Sequence, residues 1–267
     1  MLAYYVDHLS PFLIRFPNGW GIRYYGLAYV LGFLFLYWGL RYQAKQGWLK
    51  ITFAQIDDFV FWLAFGGVVL GGRLGYCLFY DLHATIQNPI RFFQVWEGGM
   101  ASHGGILGVI VVMILFARRI NKPFYHLADA AAWCTPVGLG LGRIANFING
   151  ELWGRPSDAP WAVIFPQAGD QTPRHPSQLY EAFLEGFVLF LILNFVRRRS
   201  KRDGAVALTF MGAYPVLRII GECFREPDTP IGFLFWGITE GQLLSFGMIV
   251  VVIILEYKRR TKQKSIV

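Results

Sequence analysis

Along the chain, long apolar stretches alternate with short charged segments. Seven stretches, at approximately 22–42, 57–80, 101–117, 125–147, 178–196, 204–221 and 237–256, approach the roughly 20 mostly apolar residues that cross a bilayer as a helix. The pattern predicts an all-α polytopic membrane protein with about seven transmembrane helices, forming a single domain over 1–267. The loops on one side fall at 1–21, 81–100, 148–177 and 222–236. The opening residues MLAYYVDHLSPFLIRFPNGW lack a basic start followed by an apolar run, so a signal peptide is not expected and the first span is expected to be retained.

Composition agrees with that pattern. Hydrophobic residues make up 55% and charged residues 16%, against about 25% charged in a soluble domain. The aromatic load suits membrane interfaces. A net charge of +8 could suggest nucleic acid, but its distribution argues against that partner. Basic residues gather after the first, third, fifth and seventh stretches: Arg41, Lys45 and Lys50; Arg118, Arg119 and Lys122; Arg197, Arg198, Arg199, Lys201 and Arg202; Lys258, Arg259, Arg260, Lys262 and Lys264. The opposite segments hold only Arg15, Arg91, Arg155, Arg174 and Arg225. Basic loops stay cytoplasmic, which puts the N-terminus outside and the C-terminus inside. Cys77, Cys134 and Cys223 form no CxxC pair, so neither a disulfide framework nor a metal site is expected.

Candidate chemistry begins with arginines inside apolar stretches. Arg23 stands at a span edge, where it can snorkel. Arg73, Arg143 and Arg218 lie deeper, where an arginine is costly and usually serves a polar site. Counting 1.5 Å per residue from the outer ends puts all three roughly 5–11 Å below the outer surface. Tyr25, His103, His175, Gln178 and Tyr180 fall at outer ends too, so polar groups from most spans converge on that leaflet. Glycines recur every four residues at Gly67, Gly71 and Gly75, and again at Gly138 and Gly142. This spacing lets helix backbones approach closely; it also leaves room for a lipid.

Four segments concentrate the polar groups. Trp96–Gly105, read WEGGMASHGG, leads into the third span and sets His103 and Gly104 at a helix N-terminus. Such an end attracts anions and favours a neutral imidazole, which can accept a proton; a lone histidine there can equally be structural. Gly142–Arg155, read GRIANFINGELWGR, crosses the outer interface, with Arg143 and Asn146 on one helix face and Glu151 and Gly154 beyond. It can also be read as a capped helix end with a salt bridge. Tyr214, Arg218 and Glu222 line one face of the sixth span. Arg218 and Glu222 suit either a plain ion pair or a guanidinium held ready for phosphate. Arg174–Glu181, read RHPSQLYE, opens the fifth span and suits either support or direct chemistry.

These blocks, with RYYGLAY at 23–29, GGRLGY at 71–76 and the Tyr214–Arg218–Glu222–Arg225 pattern, resemble the bacterial prolipoprotein diacylglyceryl transferases in order and over nearly the whole chain. The block at 142–155 is the most specific; HGG at 103–105 alone is weak. Ala145, where glycine is common, and Ser102, where a larger residue often sits, are small departures. The resemblance implies transfer of diacylglycerol from phosphatidylglycerol to the lipobox cysteine of a preprolipoprotein, giving a thioether and glycerol-1-phosphate. It implies Arg143 and Arg218 as phosphate contacts and His103 near the reacting centre. Tyr25, Asn146, Glu151, Gly154, Tyr214 and Glu222 match other functional positions, and Arg73 and Gly104 join them as expected substrate contacts. Glu151 and Glu222 stand beside His103 as candidate bases. The expected partners are phosphatidylglycerol, lipobox peptides and membrane lipids, with no nucleic acid, no cofactor and a monomeric chain.

Other classes fit less well. An intramembrane serine protease needs a serine paired with a histidine, and Ser102 and His103 are adjacent, so a helix points them apart. A transporter favours repeated halves with polar groups at the midplane. A seven-helix receptor explains the count but not the outer arginines.

Overall fold

A computed structural model describes residues 4–17, 19–227, 232, 234 and 237–264, with backbone alone at 97 and 258–264. The basic side chains expected at 258–264, the Glu97 side chain and part of the loop at 222–236 lie outside the described residues.

Long helices occupy every predicted stretch: α1 (Tyr24–Lys45), α2 (Phe53–Phe79), α3 (Ser102–Arg119), α4 (Phe124–Ile148), α5 (Ser177–Arg199), α6 (Ala205–Glu222) and α7 (Glu240–Lys264). Five of them, α2, α3, α5, α6 and α7 as far as Tyr257, are long and apolar enough to cross a membrane. Helices α1 and α4 are comparably long but carry Tyr, Gly and Ala, with Asp129 and Arg143, where the others carry branched aliphatics.

Local chemistry sets the ends. Helix α2 starts four residues before the predicted 57 because Thr52 and Gln55 close a reciprocal capping box, at 3.2 and 2.9 Å. Thr239 and Gln242 repeat it before α7, at 3.2 and 3.1 Å, so that helix begins after the predicted 237. Two helices widen midway into π-helical turns, at Leu63–Leu70 in α2 and Ala182–Val188 in α5. Such turns often mark functional positions.

The chain divides into two units, Leu36–Ala131 and the remainder, and the division falls inside α1 and α4. In the unit of residues 36–131, α2 and α3 pack backbone to backbone. A Cβ on Gly71 would stand 2.7 Å from the Gly104 carbonyl oxygen, and one on Gly75 2.7 Å from the Gly104 Cα. Gly67 and Gly108 continue the seam. At the far end of this unit Arg41 pairs with Asp57 at 2.9 Å.

The other unit carries five short strands that the helical reading does not anticipate. Strands β1 (Tyr5–Val6), β4 (Val163–Ile164) and β5 (Pro173–Arg174) form one sheet, with β1 parallel and β5 antiparallel to β4. Strands β2 (Phe12–Arg15) and β3 (Gly21–Arg23) make a hairpin that runs into α1. Strands this short carry too few residues for an alternating pattern. The close approach of α4 also differs from expectation. Gly138 does approach a neighbour, a Cβ on Gly32 of α1 standing 3.4 Å from its Cα, but Gly142 faces open space, and the tightest contact is Gly140 with Gly186 of α5, where a Cβ on Gly186 would stand 2.9 Å from the Gly140 Cα.

Candidate active site

Helices α4, α5 and α6, with Arg225 just beyond α6, bring three arginines and three glutamates together. Glu181 and Glu185, four apart on α5, share a face, as do Tyr214, Arg218 and Glu222 on α6. Arg143 donates from Nε and Nη2 to Glu185 Oε2, at 3.2 and 3.1 Å, and its Nη1 stands 3.1 Å from Glu181 Oε2. Arg218 Nη1 lies 3.2 Å from Oε1 of both Glu181 and Glu185, while its Nη2 donates to Glu222 Oε1. Arg225 stands 3.6 Å from Glu222 and 3.9 Å from Glu181. Thr239 donates to the second Glu222 oxygen at 3.0 Å. Glycines make room: a Cβ on Gly241 would stand 2.6 Å from Glu222 Oε1, and one on Gly221 3.1 Å from Glu181 Cγ.

Formal charges balance in this cluster, but exposures do not. The Glu181 and Glu185 side chains are 0% exposed, whereas Arg143 and Arg218 are 15% and 12% exposed. The two α5 carboxylates are enclosed, while both arginine side chains keep some accessible surface. Tyr214 is within electrostatic range of Arg143, Arg218, Glu181 and Glu185.

The segment after α4 is held as firmly. Buried Asn146 donates to Glu151 Oε1 at 2.7 Å, and Asn149 approaches the same oxygen at 3.4 Å. The chain turns there through two left-handed residues, Gly150 at φ 64° and Leu152 at φ 58°. Gln178 and Ser177 hold the turn by donating to the carbonyls of Glu151 and Leu152, at 2.6 and 3.0 Å. Gly154 then passes so close to Arg174–Glu181 that a Cβ would stand 2.4 Å from the His175 carbonyl oxygen. Burial pushes the His175 imidazole down from its ordinary value. Its Nδ1 lies 3.2 Å from the Tyr180 hydroxyl, which accepts from Trp161 at 2.7 Å. Within the 174–181 segment, Ser177 and Gln178 hold this turn, while Glu181 joins the charge cluster. Tyr25 lies exposed in the first turn of α1, its ring centroid 5.9 Å from that of Tyr29.

Arg73, His103 and Gly104 belong to the other unit. Arg73 is buried, and its guanidinium donates to four loop carbonyls: Phe92 at 3.0 Å, Gly98 at 2.5 Å, Gly99 at 2.9 Å, and Arg91. Ala101 N–H donates to the Gly72 carbonyl at 2.9 Å, so both ends of this loop are tied to α2. His103 follows in the first turn of α3 with its side chain exposed. Gly104 serves the glycine seam.

The sequence reading passed over two residues of the charge cluster. Glu185 lies within an apolar run, and its spacing of four from Glu181 was the available signal. Arg225 stands in the sequence as one of the sparse loop arginines and in the family pattern, yet it is buried.

A family model described as prolipoprotein diacylglyceryl transferase matches residues 11–257. The chain belongs to the prolipoprotein diacylglyceryl transferase family. Among its relatives named phosphatidylglycerol–prolipoprotein diacylglyceryl transferase, the protein of Geobacter sulfurreducens is 51% identical over 241 residues, covering 90% of this chain and 92% of the relative. That of Photobacterium profundum is 47% identical over 260 residues, covering 95% and 96%. That of Pasteurella multocida is 48% identical over 250 residues, covering 92% of each. Both the arginine–glutamate cluster and the glycine seam lie inside the stretch that the prolipoprotein diacylglyceryl transferase model matches.

Proposed function

We propose that this protein transfers the diacylglyceryl group of phosphatidylglycerol to the lipobox cysteine thiol of preprolipoproteins. It works as a monomeric multi-pass enzyme of the bacterial inner membrane, with seven spans, its N-terminus outside, and its site near the outer leaflet. The observation that carries this reading is the meeting of Arg143 and Arg218, from separate helices, on shared buried carboxylates, with part of each arginine side chain still accessible. Two guanidiniums held this way suit a phosphodiester, which arginine grips through paired hydrogen bonds.

The cysteine thiolate attacks the glycerol carbon that bears the phosphate ester. A carbon–sulfur bond forms, the carbon–oxygen bond breaks, and glycerol-1-phosphate leaves with the electron pair. The thiol proton passes through a base and ends on the released phosphate. Charge grows on the departing oxygens, where Arg143 and Arg218 stabilise it most effectively in a poorly solvated site. We assign the base to His103. Of the alternative carboxylates, Glu222 is tied by Arg218, Arg225 and Thr239, while Glu151 is held by amides. Tyr25, Asn146, Glu151, Gly154, Tyr214, Glu222 and Gly104 shape the substrate site. Arg73 contributes by fixing the loop that leads to His103.

The test is lipid transfer by the purified protein in the presence of a chelator. Radiolabelled phosphatidylglycerol should label a lipobox peptide at its cysteine, with glycerol-1-phosphate released in equal amount. Lipid or solute flux across vesicles without peptide labelling would sink the proposal.

A further inference from the structure

Glu185 accepts hydrogen bonds from both Arg143 and Arg218, one arginine on each of its two oxygens. Its Oε2 accepts from Arg143 Nε and Nη2, at 3.2 and 3.1 Å, and its Oε1 accepts from Arg218 Nη1 at 3.2 Å. It is fully buried, so water does not compete for those oxygens. Glu181 also sets one oxygen against each arginine, at 3.1 and 3.2 Å, but without hydrogen-bond geometry. Arg143 Nε is its least mobile donor, since it lies on the stem side of the guanidinium plane.

The backbone around Glu185 is built for that reach. Glu185 lies in the π-helical stretch of α5, and the next residue, Gly186, abuts Gly140 of α4. This glycine contact draws α4 and α5 together one residue from Glu185 and three from Arg143. A carboxylate side chain reaches Arg143 Nε directly only when the two backbones lie this close.

We propose that Glu185 is a positioning residue for the transfer reaction, its two oxygens setting the separation at which Arg143 and Arg218 both meet one phosphodiester. This rests on the function proposed above. Glu185 touches no substrate and acts through the arginines. The phosphodiester carries a single negative charge when it binds, and more gathers on its oxygens as the ester bond breaks. A clamp of wrong spacing therefore loses transition-state stabilisation more than substrate binding.

The test is steady-state transfer kinetics of purified Glu185→Gln and Gly186→Ala proteins, with thermal melts on the same samples. In Glu185→Gln the side chain keeps its shape but one oxygen becomes a donor, so one arginine loses its anchor. Gly186→Ala leaves every charge in place and parts α4 from α5. Each should lower kcat on the order of 100-fold, the cost of misplacing a reacting group by about 1 Å, while KM for phosphatidylglycerol changes less than about threefold. Either variant decides the matter if the other does not fold. A folded variant with wild-type kcat, a fall confined to KM, or failure of both variants to fold would overturn the role. Absence of transfer by the wild-type protein would instead overturn the function on which it rests.

Discussion

Asn146 donates a 2.7 Å hydrogen bond to Oε1 of Glu151, five residues on and across a left-handed turn. Among the described residues no guanidinium stands within ion-pair distance of that carboxylate, so amides alone hold it. Replacing Asn146 by alanine should free Glu151 and lower transfer on the order of 100-fold. Asn146→Asp should be worse, because two carboxylates would then face each other. Kinetics of the purified variants check the order.

The buried charges predict a split between stability and activity. Arg143→Ala leaves Glu185 without its main partner, and breaking a buried pair costs about 3–5 kcal/mol. It should also lower kcat by roughly 100- to 1,000-fold. Adding Glu185→Gln to Arg143→Ala removes the stranded charge, so the melting temperature should recover while activity does not. Recovery of activity in the double variant would count against the phosphate role of Arg143.

His103 is exposed in the first turn of α3, so substitution should leave the fold intact. His103→Ala and His103→Gln should both slow transfer by about 100-fold or more. An alanine variant with a near-normal rate removes His103 as the base and leaves Glu151 as the next residue to substitute.

Arg73 holds four backbone carbonyls between Arg91 and Gly99. Arg73→Ala should loosen that loop, losing roughly 1.5–3 kcal/mol for each charged hydrogen bond that water does not replace. Arg73→Lys keeps the charge but lacks the planar fork, so it should recover only part of the order. Limited proteolysis within 89–101 measures both, with cutting in the order alanine, lysine, wild type.

Burial lowers the His175 imidazole below its ordinary value. The unfolded chain therefore binds this proton more readily than the folded one. Its contribution to stability is full above the ordinary imidazole range and is lost as pH falls toward the lower folded value. Melting temperatures taken from about pH 7.5 down to about pH 5.5 should fall less steeply in His175→Gln than in wild type.

Much of this was legible because apolar length is a strong signal. The stretch read at 125–147 is a helix over Phe124–Ile148, and that at 204–221 one over Ala205–Glu222. Ends were less legible where capping decided them, as at Thr52 and Gln55. The arginines announced themselves by standing in apolar runs. Their partners did not: the apolar neighbours of Glu185 mask it, and Arg225 stands in a loop. The strands depend on pairing across distant sequence, as Tyr5 with Val163, and two residues carry no periodicity. Arg73 was legible as an anomaly but not as a clamp on carbonyls, because main-chain acceptors have no sequence signature.

The seam of Gly71, Gly75 and Gly104 admits no side chain between α2 and α3. Most helix pairs absorb small shifts by swinging rotamers, whereas Gly71, Gly75 and Gly104 have none to swing where they meet. Any change in the height of the imidazole at 103 must then come from sliding an entire span. Sequence drift elsewhere in the two helices can alter their lipid-facing surfaces freely, while the vernier that meshes them stays on a single mark.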